Sequence, residues 1–522
     1  MDRKVISAAD VTAAGAGRSI VVAPTDLVTP LALELAEELG VTIERSPGEG
    51  SDAGSPAAPT AEPADSAAPT PDLEARVREV VLRALGAGSV PGTGAAAATT
   101  AAATSLATAP PGFQVPARTY FSTGALGQLV HLPRMRRVTV VTDKFMVQFG
   151  MVEKVLAVLR SRPEPVELQI IDTVEPEPTV AAAEAGARLM ADHRPDTIIA
   201  VGGGSPLDAA KIMWLKYEHP DVPFAGLRDG TVPYPPLGAK AQLVCIPTSS
   251  GTGSEVSPYA VVTDPSTGRK YPLASFTMTP SIAIVDPVFT QTMPPRLAAD
   301  SGLDALTHAT EAFVSTRANA FADGLCLRAI KLIFENLEPS CLEGTNVPDH
   351  PGRRNMHDAA TIAGMAFSNS CLGLVHAISH TVGAQFHLVH GRTNAVLLPY
   401  LIRYNGVAEP GRFQEIAEQL HLPHATAEQA IDAYAQACRD LATAVGVERC
   451  FAEQGVDKEE FISSLDLLAE RTMADQCATT NPRVPTPHDL KDLMVAAYYG
   501  IPCEDVTARR LRGEDYRTMG PR

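Results

Sequence analysis

Four histidines lie within one short stretch of the chain: His376, His380, His387 and His390. His376 and His380 are four residues apart, so in a helix their imidazoles share one face. His390 follows His376 after fourteen residues, close to a whole number of turns if the helix continues. Two glycines in the stretch could interrupt it. The stretch therefore predicts a cluster of imidazoles on one or two helices.

A second pair of chemically capable side chains, Asp304 and His308, precedes this stretch and has the same four-residue spacing. Together the two regions could surround a divalent metal with three imidazoles and one carboxylate. That donor set suits Fe2+ or Zn2+, whereas Mg2+ and Ca2+ prefer more oxygen ligands. Each pair taken alone is more typical of a helix surface or of a satisfied core pair, so the metal hypothesis depends on the rest of the chain.

Composition narrows the class of protein. The chain has 522 residues with 45% hydrophobic and 20% charged residues, which is ordinary for a globular protein of two or three domains. A net charge of -17 argues against nucleic acid or an anionic membrane as the main partner. No long apolar run or signal peptide is recognisable, so we expect a cytoplasmic protein. The eight cysteines form no C-x-x-C pair and are expected to be reduced thiols.

The first 112 residues differ from the rest. Residues 1–46 predict a small module with a strand from Ser19 and a helix over residues 30–39. Residues 47–112 are rich in Pro, Ala, Ser, Gly and Thr, which is typical of linkers. They carry one amphipathic helix, residues 72–86, which is too short to be stable alone. It resembles the encapsulation helices of bacterial microcompartments and could bind a shell or cargo protein; alternatively it packs back on its own domain.

From residue 113 the pattern alternates between strands and helices, which predicts a mostly parallel sheet. The predicted strands are Val138–Thr142, Val166–Ile171, Asp196–Val201, Leu243–Pro247 and Ile282–Val285. The third strand runs into three glycines, residues 202–204, followed by Ser205 as the predicted helix cap and by Asp208. Glycines before a helix N-terminus allow close approach of an anion, so this loop predicts a pyrophosphate cradle, although a mere tight turn has the same pattern.

The next strand ends in a second loop of hydroxyls and glycines, residues 248–255. Two such loops at the carboxyl edge of one sheet favour a dinucleotide site over two unrelated turns. Asp143, at the end of an earlier strand, could accept from a ribose 2'-hydroxyl, which favours NAD over NADP; it could also be an ordinary turn residue. The interpretation is a dinucleotide-binding α/β domain over residues 113–290 and a helical metal-binding catalytic domain over residues 291–522, facing each other across a cleft.

These residues together resemble the iron-containing (group III) alcohol dehydrogenase family. The resemblance runs from about residue 113 to the end and is carried by the glycine run, residues 247–256, residues 302–308 and the histidine-rich stretch. It is closest to the alcohol dehydrogenase half of bifunctional aldehyde–alcohol dehydrogenases. The acylating half is not part of this chain, which has the unrelated first 112 residues instead.

The resemblance implies a role for each matched residue. The metal ligands are then Asp304, His308, His376 and His390, whereas His380 lies near the nicotinamide and relays a proton. The implied cofactor residues are Asp143, Gly203, Gly204, Ser205, Asp208, Thr248, Ser249, Thr252 and Lys270. Phe367 either lines the substrate pocket or belongs to the core. Glu177 departs from the family pattern, because many relatives have Asn there.

The implied reaction is the interconversion of short-chain aldehydes and primary alcohols with NAD(H). The direction expected is aldehyde reduction that recycles NADH, in the cytoplasm or in the lumen of a microcompartment, by a homo-oligomer. The alternatives are a polyol or diol dehydrogenase of the same superfamily and a mainly structural cargo or scaffold protein. The complete ligand set argues against a purely structural role, since a scaffold does not need it.

Overall fold

A computed structural model describes residues 5–6, 18–22, 27–28, 41–45, 112–176, 178–264 and 269–520. The chain forms two compact units, residues 1–93 and 94–522. In the first unit, Val5–Ile6 pairs in parallel with Leu27–Val28, and Ser19–Val22 pairs in parallel with Thr42–Arg45. The strand from Ser19 lies where the sequence predicts one. The predicted helices at 30–39 and 72–86 lie outside the described residues.

The second unit begins with an α/β layer built on a six-stranded sheet. Its strands and those of a separate hairpin are β1 Arg118–Phe121, β2 Arg137–Val141, β3 Glu167–Ile171, β4 Thr197–Gly202, β5 Gln242–Pro247, β6 Tyr259–Asp264, β7 Arg269–Ala274 and β8 Ile282–Val285. The sheet order is β1-β8-β5-β4-β2-β3, and every neighbouring pair is parallel. Strands β6 and β7 form the antiparallel hairpin. The predicted parallel sheet is confirmed.

Strand β4 lies inside the sheet and is buried on both faces. Ile198 and Ala200 pack into one core with Leu207, while Ile199 and Val201 pack into the opposite core with Val155. Successive side chains of a strand point to opposite faces, so a strand covered on both sides must be apolar throughout. The exception on β4 is Thr197 at its start, a buried residue whose hydroxyl donates to the Arg134 carbonyl.

Helices cover the sheet and then form a layer of their own. They are α1 Lys144–Gln148, α2 Met151–Arg160, α3 Val180–His193, α4 Gly204–Glu218, α5 Phe224–Arg228, α6 Pro295–Val314, α7 Ala320–Leu342, α8 Pro351–Ser370, α9 Leu374–Phe386, α10 His390–Gly406, α11 Pro410–Gln419, α12 Ala427–Ala444, α13 Lys458–Met473, α14 Pro487–Tyr499 and α15 Cys503–Leu511. After β8 the described chain contains helices and no further strand. This confirms the predicted helical second half.

Helices α8 and α9 meet at a sharp bend of 105°. Cys371 ends α8 with a φ of 64°, and Gly373 caps α9. In the described part of the chain no single helix is long and apolar enough to cross a membrane; by length and composition alone, this bent pair meets the criteria together. Both helices are mostly buried in the helical layer, and the bend brings the start of α9 against α6.

Candidate metal centre and nucleotide-binding loops

The four predicted metal ligands come together from three helices. Asp304 and His308 lie one turn apart on α6, His376 lies in the first turn of α9, and His390 is the first residue of α10. Asp304 Oδ1 lies 3.8 Å from His308 Nε2, 3.6 Å from His376 Nε2 and 3.5 Å from His390 Nε2. The tightest group consists of Asp304, His376 and His390, whose ligand atoms all lie within 4.8 Å of one another.

The separations from Asp304 Oδ1 fit one divalent cation, and His308 lies near this carboxylate but outside the group of three whose ligand atoms are all within 4.8 Å of one another. Ligand atoms about 2.1 Å from a tetrahedral metal are separated from each other by about 3.4 Å. The three separations from Asp304 Oδ1, between 3.5 and 3.8 Å, are close to that value. The donor chemistry of three imidazoles and one carboxylate fits Fe2+ or Zn2+. Asp304 and two of the imidazoles are buried, whereas the ring of His390 is 43% exposed and reaches solvent.

The helix carrying His376 does not continue to His390. His387 adopts a left-handed conformation with a φ of 54° and ends α9 after Phe386, so α10 begins separately at His390. The sequence left open whether one helix or two carry these histidines, and the structure shows two. Gly391 explains how α10 reaches the site: a Cβ there would lie 2.0 Å from the carbonyl oxygen of Asp300 in α6.

A buried carboxylate that the sequence reasoning missed holds His376. Glu311 accepts from the Val375 N–H at 2.6 Å, and its second oxygen lies 2.6 Å from His376 Nδ1. A carboxylate bonded to one ring nitrogen fixes the tautomer and leaves the other nitrogen free for a metal. The signal was present in the sequence, because Asp304, His308 and Glu311 have the i, i+4, i+7 spacing of one helix face.

The protonation of the cluster without metal follows from its charges. Burial alone would raise the pKa of Asp304, but the neighbouring histidines outweigh it and hold that pKa well below its usual range. Burial would lower the pKa of His376, yet hydrogen bonds with Asp304 and Glu311 raise it to about 9. Burial lowers the pKa of His308 to about 4. A cation entering the site must therefore displace a proton from His376, because a metal-binding imidazole is neutral.

His380 lies beside the ligand cluster but faces a different partner. Its Nδ1 lies 2.9 Å from Asp475 Oδ2, and its ring stacks on that of His390 with a centroid separation of 5.4 Å. Asp475 also accepts from the Cys477 N–H. The sequence alone assigns no role to Asp475. The structure makes His380 and Asp475 a partly exposed pair at the edge of the cluster.

Aromatic rings form one wall beside the cluster. Phe367 on α8 is 5% exposed and stacks on His308 with a centroid separation of 4.5 Å. Its other neighbour is Tyr259, at the start of strand β6, with a centroid separation of 5.9 Å. Phe367 therefore lies directly against a predicted ligand, buried between the metal cluster and the hairpin.

The two predicted nucleotide loops lie side by side at the carboxyl ends of β4 and β5. The Thr248 N–H donates to the Gly202 carbonyl at 2.9 Å. A Cβ on Gly203 would lie 3.6 Å from Ser249 Oγ, and a Cβ on Gly204 would lie 3.2 Å from Thr252 Cγ2. The loops thus touch through small atoms. Gly203, Gly204, Ser249 and Thr252 stay partly exposed, at the sheet edge where such folds bind nucleotides.

Other predicted cofactor residues have mixed outcomes. Asp143 caps α1 by accepting from the Met146 N–H and lies at the same sheet edge. Ser205 is not the helix cap, because Gly203 occupies that position and Ser205 instead donates to the Pro176 carbonyl. Lys270 lies on β7, but its side chain is outside the described residues, as is Glu177.

Asp208 ties the first loop to its neighbours. It accepts from Ser254 Oγ at 2.6 Å and from the Val261 N–H at 2.9 Å, and buried Lys211 lies 3.9 Å away. Both carboxylate oxygens are therefore engaged within the protein. The predicted contact of Asp208 with a cofactor stays a prediction.

The second loop is also fixed to the helices that surround the metal cluster. Ser250 Oγ lies 3.1 Å from His357 Nδ1, and Thr361 donates to Glu255 at 2.7 Å; both partners are on α8. A Cβ on Gly253 would lie 2.5 Å from the Cα of Gly364, so the loop and α8 are in backbone contact. The nucleotide loop and the metal cluster thus share one rigid support.

Comparison with known proteins agrees with this arrangement. Residues 116–287 match the model of the iron-containing alcohol dehydrogenases, and residues 298–498 match that of the C-terminal part of the Fe-containing alcohol dehydrogenase family. The chain belongs to the iron-containing alcohol dehydrogenase family. The predicted family, whose description names iron, is therefore confirmed.

Individual members of the iron-containing alcohol dehydrogenases resemble the chain over its second unit. An aldehyde-alcohol dehydrogenase of Streptococcus pneumoniae is 44% identical over 408 residues, 74% of this chain but 46% of the relative, so the chain spans about half of it. An NADPH-dependent butanol dehydrogenase of Clostridium saccharobutylicum is 41% identical over 74% of this chain and 98% of its own length. The crystal structure of a 1,3-propanediol oxidoreductase aligns with a TM-score of 0.68 at 31% identity, over 75% of this chain and all of its own.

Proposed function

We propose that this protein is a metal-dependent alcohol dehydrogenase that interconverts short-chain aldehydes and primary alcohols with NAD(H), and that it works mainly as an aldehyde reductase. One observation carries the proposal: three imidazoles and one carboxylate with metal-like separations lie beside loops suited to a pyrophosphate. The relatives named for butanol and 1,3-propanediol support small alcohols as the substrate class.

The proposed mechanism gives each part of the site one task. Asp304, His308, His376 and His390 would hold Fe2+, which would supply Lewis acidity toward the carbonyl oxygen, and bound NADH would supply the hydride for the carbonyl carbon. His380 moves the proton that the product oxygen requires. Asp475 accepts from His380 Nδ1, so the free Nε2 is the nitrogen that exchanges the proton. Phe367 and Tyr259 present an apolar wall that suits a short alkyl chain.

The preferred dinucleotide in this proposal is NAD(H). Asp143 lies at the end of β2, next to β4 and its glycine loop, where a carboxylate can accept from a ribose 2'-hydroxyl and repel a 2'-phosphate. The butanol dehydrogenase relative is named as NADPH-dependent, so cofactor choice varies among similar chains. Replacing Asp143 by Ser is expected to narrow the preference for NADH over NADPH.

A diol dehydrogenase is the second candidate, because one similar structure is a 1,3-propanediol oxidoreductase. The two functions differ in the substrates that the enzyme should turn over fastest. The test is NADH oxidation by anaerobically prepared, Fe2+-loaded protein with C2 to C4 aldehydes and the corresponding hydroxyaldehydes, and NAD+ reduction with the matching alcohols and diols. Chelated protein is the control. Faster turnover of butyraldehyde or propionaldehyde than of hydroxyaldehydes supports the first function, and the reverse order supports the second.

We also propose that residues 1–112 direct a homo-oligomeric enzyme to a microcompartment lumen, with the cytoplasm as its location otherwise. The amphipathic pattern of residues 72–86 supports this. Deleting residues 1–112 is expected to leave aldehyde reduction unchanged and to abolish co-sedimentation with shell particles. Continued co-sedimentation of the truncated protein would contradict the targeting role.

A further inference from the structure

Asn394 is a fully buried residue that reaches into the ligand cluster from α10, one turn after His390. Its Nδ2 donates to Asp304 Oδ1 at 2.8 Å. The same nitrogen lies 3.3 Å from His376 Nε2 and 3.2 Å from His390 Nε2. One carboxamide therefore touches ligand atoms of three different helices, and neither the sequence motifs nor the proposed mechanism uses it.

The contact with Asp304 matters because Asp304 Oδ1 is the atom that all three imidazole nitrogens face. Without a fixed donor, a carboxylate can rotate toward whichever neighbouring histidine carries a proton. A hydrogen bond from a neutral amide restricts that rotation without adding a charge that would repel a cation.

Only the N–H end of the Asn394 carboxamide has a hydrogen-bond partner among the described residues. Asn394 Oδ1 is buried and has no hydrogen-bond partner among the described residues, so the amide is held only through its N–H end. A buried carbonyl without a partner costs free energy, and it is tolerated here because the opposite end of the group satisfies Asp304.

We propose that Asn394 is a positioning residue of the metal centre: its Nδ2 holds the Asp304 carboxylate in the orientation in which Oδ1 and the imidazole nitrogens bind one cation. This inference rests on the metal site in the proposed function. The Asn394 amide is a neutral donor that links α10, the helix of His390, to α6, the helix of Asp304.

The test compares metal binding by wild type, Asn394→Leu and Asn394→Asp, with Thr393→Val as a matched control. Thr393 is also buried on α10, but its hydroxyl donates to the Val389 carbonyl of its own backbone. Each protein is stripped by chelation. Zn2+ affinity is then measured against a chromophoric chelator, the electronic spectrum is recorded with Co2+, and thermal unfolding is followed without metal.

We expect Asn394→Leu to bind Zn2+ about 10- to 100-fold more weakly, as is typical when the partner of a metal ligand is removed. Its Co2+ spectrum should shift, because the ligand geometry changes. Asn394→Asp has nearly the shape of the native residue but no donor at the Asp304 contact, so we expect weakened binding there too. Thr393→Val should leave affinity and spectrum unchanged.

The outcomes separate this inference from the function on which it rests. Wild-type protein that binds neither Zn2+ nor Co2+ would contradict the metal site itself. Wild-type affinity and spectrum in Asn394→Leu would overturn only the role of Asn394. Wild-type affinity in Asn394→Asp would also overturn it, by showing that an oxygen at this position serves the site as well as a donor; that variant keeps the test open if the leucine variant does not fold.

Discussion

The metal cluster and the nucleotide loops adjoin each other but consist of different types of residue. The cluster consists of ionisable side chains on three mostly buried helices, and each imidazole nitrogen lies within 3.8 Å of one carboxylate oxygen. The loops consist of glycines and hydroxyls that expose backbone at the ends of two strands. The metal cluster needs specific polar side-chain atoms. The pyrophosphate cradle needs glycines, because a missing Cβ leaves space for the anion.

This difference predicts how each region breaks. Removing a polar atom should damage the metal cluster and leave dinucleotide binding intact. Adding a single carbon should damage the cradle and leave metal binding intact. A variant that damages both would show that the shared support, helix α8 with its contacts to the second loop, transmits the change.

The largest effect is expected for Asp304→Asn. The substitution removes the negative charge that offsets the cation and faces all three imidazoles. We expect Zn2+ affinity to fall by more than about 100-fold, beyond the range for residues that only support a ligand. Chelator competition measures the loss. NADH binding, followed by fluorescence, should stay at the wild-type value, and loss of NADH binding would contradict the separation of the two regions.

Glu311→Gln should have a smaller effect of the same kind. The amide keeps the shape of Glu311 but loses the charge that favours an N–H at His376 Nδ1. Metal affinity is expected to fall by about 10- to 100-fold. The same competition assay reports it, and an unchanged affinity would show that the Val375 contact alone holds His376 in place.

Gly203→Ala tests the cradle. The added Cβ would be in ordinary contact with Ser249 Oγ at 3.6 Å, so the fold should tolerate it while the space for a pyrophosphate is reduced. We expect the KM for NADH to rise by about 10-fold, which corresponds to about 1.4 kcal/mol. Gly127→Ala, where a Cβ meets open space, is the control and should change nothing. An unchanged KM in Gly203→Ala would place the dinucleotide elsewhere.

The last prediction is on stability rather than on binding, and it concerns the contact between the second loop and α8. Burial lowers the pKa of His357 from 6.5 to about 4, so the folded protein keeps this ring neutral while the unfolded chain protonates it below pH 6.5. Stability is therefore lost as pH falls from about 6.5 toward 4, by up to about 3 kcal/mol. His357→Gln should flatten this part of the stability profile in urea unfolding, and an unchanged profile would contradict a neutral His357 in the folded protein.

The sequence predicted regular structure better than local exceptions. Apolar strands and helical periodicity were enough for the parallel sheet and the helical layer, because burial on one or two faces determines those patterns. The break after Phe386 depends on a left-handed conformation at His387. Histidine is enriched in that conformation, but most histidines do not adopt it, so the residue type alone could not locate the break. Serine is a common N-cap residue, but Ser205 lies within the first turn of α4, because Gly203 is the extended N-cap residue that precedes this helix.

The candidate site was likewise predicted where its residues follow a periodic pattern and missed where they do not. The i, i+4 spacings of Asp304 with His308 and of His376 with His380 indicated imidazole clusters, but the spacing could not decide between His380 and His390 as a ligand; the family resemblance did so. Supporting residues such as Glu311, Asp475 and Asn394 were not assigned because their partners lie on other helices. Contacts between distant segments leave no periodic signal in a single sequence.

The most direct test follows one sample of the protein through removal and return of its metal. NADH oxidation with propionaldehyde is measured in Fe2+-loaded protein, after chelation and after anaerobic addition of Fe2+, with NADH binding monitored by fluorescence throughout. We predict that turnover disappears on chelation and returns with Fe2+, while NADH binds within about twofold of its initial affinity at every stage. Undiminished turnover in the chelated protein would contradict a metal-dependent reaction at the Asp304 cluster.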